Sequence, residues 1–169
     1  MNASVIDVNV AIVANGRSIH ADDMCELACI QALKQAREGL ICIDDRDAIM
    51  AEYRKNLSLS GQPGVGDEFM EWLHQNQHTE NVCERVDIHP DVDWGFVEFP
   101  HDDELGRITD SQRFDPSDRK YVAVALASKN SPDILNAVDS DWRQFGNAWS
   151  RHGIHVRELC PHCLRSFRS

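Results

Sequence analysis

The chain has 169 residues, 42% of them hydrophobic, with 28 Asp/Glu against 17 Lys/Arg and a formal net charge of −11. That length fits one compact domain with a full core, and the ordinary apolar share excludes disorder as the default state. No apolar run nears the roughly 20 residues that cross a bilayer, so no membrane partner is expected.

The N-terminal MNASVIDVNVAIVANG has no basic start and carries Asp7 inside its apolar stretch, which fits a secretory signal poorly. A cytoplasmic protein is expected, and with it reduced thiols at all six cysteines (25, 29, 42, 83, 160 and 163).

SVIDVNVAIV is a β-branched apolar run with one acid in it and reads as a buried strand. ADDMCELACIQALKQAREG reads as a helix capped by Asp22 or Asp23. Leu27, Ile30 and Leu33 fall at helical spacing and Gly39 is a stop. GLICID (39–44) is a second strand. DRDAIMAEYRKNL follows as a helix with Ile49, Met50, Tyr53 and Leu57 on its apolar side. This β-α-β-α order leads to a parallel sheet covered by helices.

GQPGVG (61–66) reads as a loop; a phosphate-cradling P-loop needs a Gly-Lys-Ser/Thr ending, which is absent. DEFMEWLHQNQ reads as a helix. Between 79 and 113, VCERVDIH and FVEFP read as short strands or extended connections and HDDELG as a turn. Asp115 and Pro116 suit the start of an Ala/Val-rich helix running to about Ser128. DILNAVDSDW then reads as a strand ending in acids, WRQFGNAWSRHG as a helix stopped by Gly153, and IHVREL as a last strand. The division expected is one domain over 1–159, with 60–105 as a less typical insertion, and a C-terminal tail over 160–169.

Acids recur where a strand ends or the following helix begins: Asp7, Glu52, Asp118, and Asp139 with Asp141. In open parallel sheets ligands bind outside the carboxyl ends of the strands, so these acids are expected to converge. Buried like charges repel, and a divalent cation relieves them. Hard oxygen donors suit Mg²⁺ or Mn²⁺.

The stretches VIDVNV, MAEYRKNL, DRKYVAVAL and AVDSDW, in that order, resemble the pattern of PIN-domain ribonucleases. The resemblance covers most of the chain apart from 60–105. It implies a three-layer α/β/α fold with a central, mostly parallel sheet. It places Asp7, Glu52, Asp118 and Asp139 as the catalytic acids, Asp7, Asp118, Asp139 and Asp141 as ligands to Mg²⁺ or Mn²⁺, and Asn9 as a residue that orders the site. Arg113, Arg119, Lys120 and Arg143 flank those acids and are candidates for RNA phosphates. The activity implied is metal-dependent endoribonuclease cleavage, as a toxin or defence component, with RNA as substrate and an antitoxin, a regulatory protein or a second copy as partner. A catalytically inactive PIN-like binding module is the alternative.

Charge distribution bears on both. Residues 1–106 hold 21 acids and 7 Lys/Arg, a net of −14, whereas residues 107–169 hold 7 acids and 10 Lys/Arg, a net of +3. The C-terminal third is the part suited to a phosphate backbone.

Cys160-Pro-His-Cys163 is read as two thiols on a frayed tail. A redox pair would need a following helix, and a zinc site would need Cys25 and Cys29 brought to it by the meeting of the two chain ends. The four tryptophans are read as core, and most of the eight histidines as surface residues.

Overall fold

In the computed structural model, which describes residues 2–166, the N-terminal apolar run divides at Asp7. β1 covers Ala3–Ile6 and α1 covers Val8–Ala14. The Asp7 carboxylate accepts the Asn9 N–H at 2.9 Å, satisfying a donor that the first turn of a helix leaves open. The single strand expected over SVIDVNVAIV is thus corrected. α1 buries Val8, Val10, Ala11, Val13 and Ala14, and burial on several sides overrides the strand preference of its valines.

α2 (Asp23–Glu38) is capped by Asp22, whose carboxylate accepts the Cys25 N–H at 2.8 Å, and it gives way at Gly39. Its buried face is Cys25, Cys29, Ala32, Leu33 and Ala36; Leu27, expected to point inward, is 55% exposed. β2 (Leu40–Asp44) leads into α3 (Ala48–Asn56), which buries Ile49, Met50 and Tyr53 as its spacing implies. Asp44 is spent on that junction: it accepts the N–H groups of Arg46, Ala48 and Ile49 at 2.8–3.0 Å.

α4 (Val65–Asn76) packs against α1 so closely that a Cβ on Gly66 would lie 1.9 Å from the Ala11 carbonyl oxygen. β3 (Cys83–Val86) follows, then a small antiparallel hairpin of β4 (Pro90–Asp91) and β5 (Gly95–Phe96). A 3-10 turn, Pro116–Asp118, begins at Asp115 and runs into α5 (Arg119–Ala127). The remainder is β6 (Asp133–Asn136), α6 (Ser140–Gln144), α7 (Gly146–Arg151), β7 (Val156–Glu158) and α8 (Pro161–Ser166). The one helix expected after Trp142 is therefore two short ones.

The main sheet has the order β3-β2-β1-β6-β7, and every neighbouring pair is parallel. With helices against it, this is an α/β architecture with the make-up of a three-layer α/β/α fold. Residues 60–105 supply α4 and the edge strand β3. Among the described residues no helix is long and apolar enough to cross a membrane.

The C-terminal end departs from expectation most. Cys160 is fully buried and forms a disulfide with Cys25, so neither is a reduced thiol and the tail is docked rather than frayed through Cys163. Cys42 is a free thiol buried in β2, where it serves as a small core residue.

Arg119 also has another role than the one expected. It is fully buried, and its guanidinium donates to the carbonyls of Phe114, Trp94 and Leu105 while lying 4.4 Å from the Phe99 ring centroid. It ties the irregular segment 94–118 to the sheet-packed α5 and does not face solvent phosphate. Arg119→Met, similar in length but without donors, removes the donor from the Phe114 and Trp94 carbonyls, while the Leu105 carbonyl keeps the Phe114 N–H at 2.8 Å. At about 1–3 kcal/mol for each of these two buried unsatisfied groups, the expected destabilisation is roughly 2 kcal/mol or more. Urea unfolding reads it as a lower midpoint at constant slope. A change under about 1 kcal/mol would mean that other contacts hold the segment, since one hydrogen bond nets about that much.

Candidate metal centre

The strand order reverses between β1 and β6, where the chain, having built outward through β2 and β3, returns to the other side of β1. Side chains just beyond the carboxyl ends of those two strands share one crevice, the usual ligand position in an open parallel sheet. Asp7 follows β1 and Asp139 follows β6. Asp118 reaches the same place from the junction of the 3-10 turn with α5. One carboxylate oxygen from each of Asp7, Asp118 and Asp139 lies within 4.8 Å of the other two.

The three are fixed by ordinary local forces. Asp7 is 3% exposed; one oxygen caps α1 and the other accepts the indole N–H of Trp142 at 2.9 Å. Asp139 caps α6 by accepting the Asp141 N–H at 2.9 Å. Asp141 is the fourth ligand that the resemblance implies. Asp141 instead lies outside the close trio and lines a neighbouring cleft of about 580 Å³ with Arg113 and Asp115.

A second set of amides holds the two strand ends in register. The Asn9 side-chain oxygen accepts the N–H groups of Ala137 (2.9 Å) and Val138 (3.2 Å), and its amide donates to the Asn136 oxygen at 3.0 Å. Asn136, fully buried, donates in turn to the Asp139 carbonyl and to Glu158, both at 2.8 Å. Asn9 thus bridges the start of α1 and the end of β6. Asn136 and Glu158 were not anticipated, although a lone Asn in the apolar run ILNAV and an acid at the end of β7 were readable signals.

Glu52 enters differently from the other acids. Its carboxylate accepts from Lys120 Nζ at 2.8 Å and from the Tyr121 hydroxyl. That hydroxyl also accepts the Val8 N–H at 3.2 Å, beside Asp7. Glu52 lies outside the close trio and is a neutralised neighbour that braces the start of α1. Lys120 is correspondingly buried in this ion pair and is not presented to phosphate. Of the four expected phosphate contacts, Arg113 and Arg143 remain at the surface.

The electrostatics follow from burial of like charges. Burial raises the Asp7 carboxyl to about 6, against the opposing hydrogen bonds from Asn9 and Trp142, with Asp139 and Glu52 adding repulsion. Burial, then Asp7 and Asp139, raise Asp118 to about 9. Burial and the Asp139 charge push Asp141 up as well. Glu158 rises to about 7, chiefly through burial.

No protein-family model, no curated protein and no solved structure matches the chain.

A carboxyl whose folded pKa lies above its unfolded one keeps its proton in the fold after the unfolded chain has lost it. The resulting stability is complete below pH 3.8 and drains away as pH rises through about 9 at Asp118. The metal-free protein is therefore expected to lose thermal stability across that window. Asp118→Asn, with no proton to give up, is expected to melt several degrees above wild type at alkaline pH, at roughly 2–4 °C per kcal/mol in a chain of this size. Thermal melts in chelator across the pH range check this, and parallel wild-type and variant curves would remove the repulsion.

Proposed function

We propose that the chain is a divalent-metal-dependent endoribonuclease of PIN-like type, cleaving RNA phosphodiester bonds beside Asp7, Asp118 and Asp139. The observation that carries this reading is the gathering of three carboxylates, two of them buried, at the reversal of strand order. The donor set fits a hard cation: all oxygen, within reach of one another, and destabilised while it stays uncompensated. Mg²⁺ or Mn²⁺ bound there would supply positive charge for phosphate oxygens and acidify an attacking water.

The chain's own residues do the positioning. Trp142 and the Asn9 N–H fix both oxygens of Asp7, and the Asn9–Asn136 amide pair sets the distance between Asp7 and Asp139. Tyr121 and Lys120 hold Glu52 beside this group, so it orients its neighbours instead of meeting the scissile phosphate. Arg113 and Arg143, exposed on the basic C-terminal third, are the side chains available for the backbone of a bound RNA.

A specific observation favours a second reading, a metal-binding PIN-like module without catalysis. Glu52 is neutralised by Lys120, and burial removes Arg119 and Lys120 from any phosphate contact.

Purified protein incubated with structured RNA and Mn²⁺ is expected to cleave it, and Asp7→Asn to lose at least about a hundredfold in rate. Trp142→Phe, which removes only a partner of a ligand, is expected to lose roughly 10–100-fold, as changes around ligating groups do. Cleavage equal in wild type and Asp7→Asn would sink the nuclease reading. Calorimetric Mn²⁺ binding without cleavage would favour the second.

A further inference from the structure

Four of the six cysteines meet at the N-terminal end of α2. Cys25 and Cys29 lie one helical turn apart on its buried face. Cys160 and Cys163 bracket the start of α8, where the Cys163 N–H donates to the Cys160 carbonyl at 3.0 Å. Cys25 and Cys160 form the disulfide, yet Cys29 Sγ is only 4.0 Å from Cys160 Sγ, and the sulfurs of 25, 29 and 160 all fall within 4.8 Å of one another. Cys163 lies at the edge of this group, one helical turn beyond Cys160, with its sulfur within 4.8 Å of ligand atoms of Asp22 and His162. The first three are 0% exposed and Cys163 is 6% exposed.

A lone disulfide accounts for two of these side chains; the buried Cys29 sulfur packs against it, and the buried Cys163 sulfur lies beside Asp22 and His162. Thiolates on a tetrahedral zinc at Zn–S of about 2.3 Å sit about 3.8 Å apart, close to the Cys29–Cys160 separation. The two pairs, Cys-x-x-x-Cys on a helix and Cys-x-x-Cys at the start of another, have the short pair spacing of closed structural zinc sites. At the surface side of the group His162 Nε2 lies 3.0 Å from both oxygens of Asp22, which also caps α2. The acid thus ties the start of α8 to the cap of α2.

We propose that Cys25, Cys29, Cys160 and Cys163 form a tetrathiolate site for Zn²⁺, of which the Cys25–Cys160 disulfide is the oxidised, metal-free form. Conversion is a balanced exchange. A dithiol reductant gives two electrons and two protons to the disulfide and becomes a disulfide itself, leaving four thiols. Zinc then binds with release of the thiol protons. In either form the C-terminal segment is fastened to α2, so the cluster staples the chain ends under both reducing and oxidising conditions. The site is separate from the acid centre and does not depend on the nuclease reading.

The test uses the full chain, reduced with a phosphine and freed of metal, titrated with Co²⁺ and then Zn²⁺. Expected are the charge-transfer and ligand-field bands of tetrahedral thiolate-bound cobalt, saturating at one ion per chain, erased by Zn²⁺ and retained in Asp7→Asn. Cys29→Ser and Cys163→Ser, each leaving Cys25 and Cys160 intact, are expected to lose the bands and the rise in melting temperature that Zn²⁺ gives the reduced wild type. Circular dichroism shows that each variant is folded before titration. Absence of thiolate bands in folded, reduced wild type overturns the proposal. So do bands unchanged in both serine variants, or bands kept in Cys163→Ser but lost in His162→Ala.

Discussion

Mutual repulsion among Asp7, Asp118 and Asp139 is the constraint around which the rest is arranged. Three carboxylates within 4.8 Å, two of them buried, make an unfavourable arrangement in an apolar protein interior. Such a group persists only where neighbouring structure enforces it. Here the enforcement comes from every side: the indole of Trp142 on one oxygen of Asp7, the first turn of α1 on the other, and the α6 cap at Asp139. Trp142 is itself held in an aromatic cluster with Phe114 and Trp149, and the Trp149 N–H donates to its carbonyl. The donor on Asp7 is thus aimed by the core and not by a loop.

The Asn9–Asn136 pair extends the same logic to the backbone. An amide carries both donors and acceptors, so two of them facing each other can bridge two strand ends and still satisfy the peptide groups beyond. Asn9 takes the N–H groups of Ala137 and Val138, and Asn136 takes the N–H of Asp139. The distance between Asp7 and Asp139 is thereby set by hydrogen bonds of fixed length instead of by the reach of two free side chains. Rigid support of this kind is what a preorganised site requires, because ordering cost is met in folding and not in binding.

Charge elsewhere is used structurally. The chain puts a fully buried cation, Arg119, under the 94–118 segment, where it donates to three backbone carbonyls. Lys120, next in sequence, cancels Glu52. Two residues whose types suggest phosphate binding thus stabilise the walls of the site. The sulfur cluster acts at the far end of α2, joining the last described helix to the body of the domain.

How far the sequence reached can be judged from particular residues. The helices over 23–38, 48–56 and 119–127, the strands around 40–44 and 133–136, and the parallel α/β class were readable, because periodicity, caps and chain order are local quantities. The end of β1 was not: SVIDVNVAIV is equally apolar as strand or helix, and the burial of α1 on several sides decided it. The acids at 7, 118 and 139 stand out as carboxylates at element junctions, yet Asp44 sits at the same kind of junction and both its oxygens accept N–H groups opening α3. Arg119 and Lys120 looked like surface cations, and Cys160 looked like a loose thiol. Whether a polar side chain faces a ligand, a neighbour's backbone or a partner sulfur depends on what the fold brings from distant parts of the chain. Composition and spacing determined the elements and the kinds of chemistry at hand. Tertiary packing alone decided which charges are answered internally and which are left facing one another.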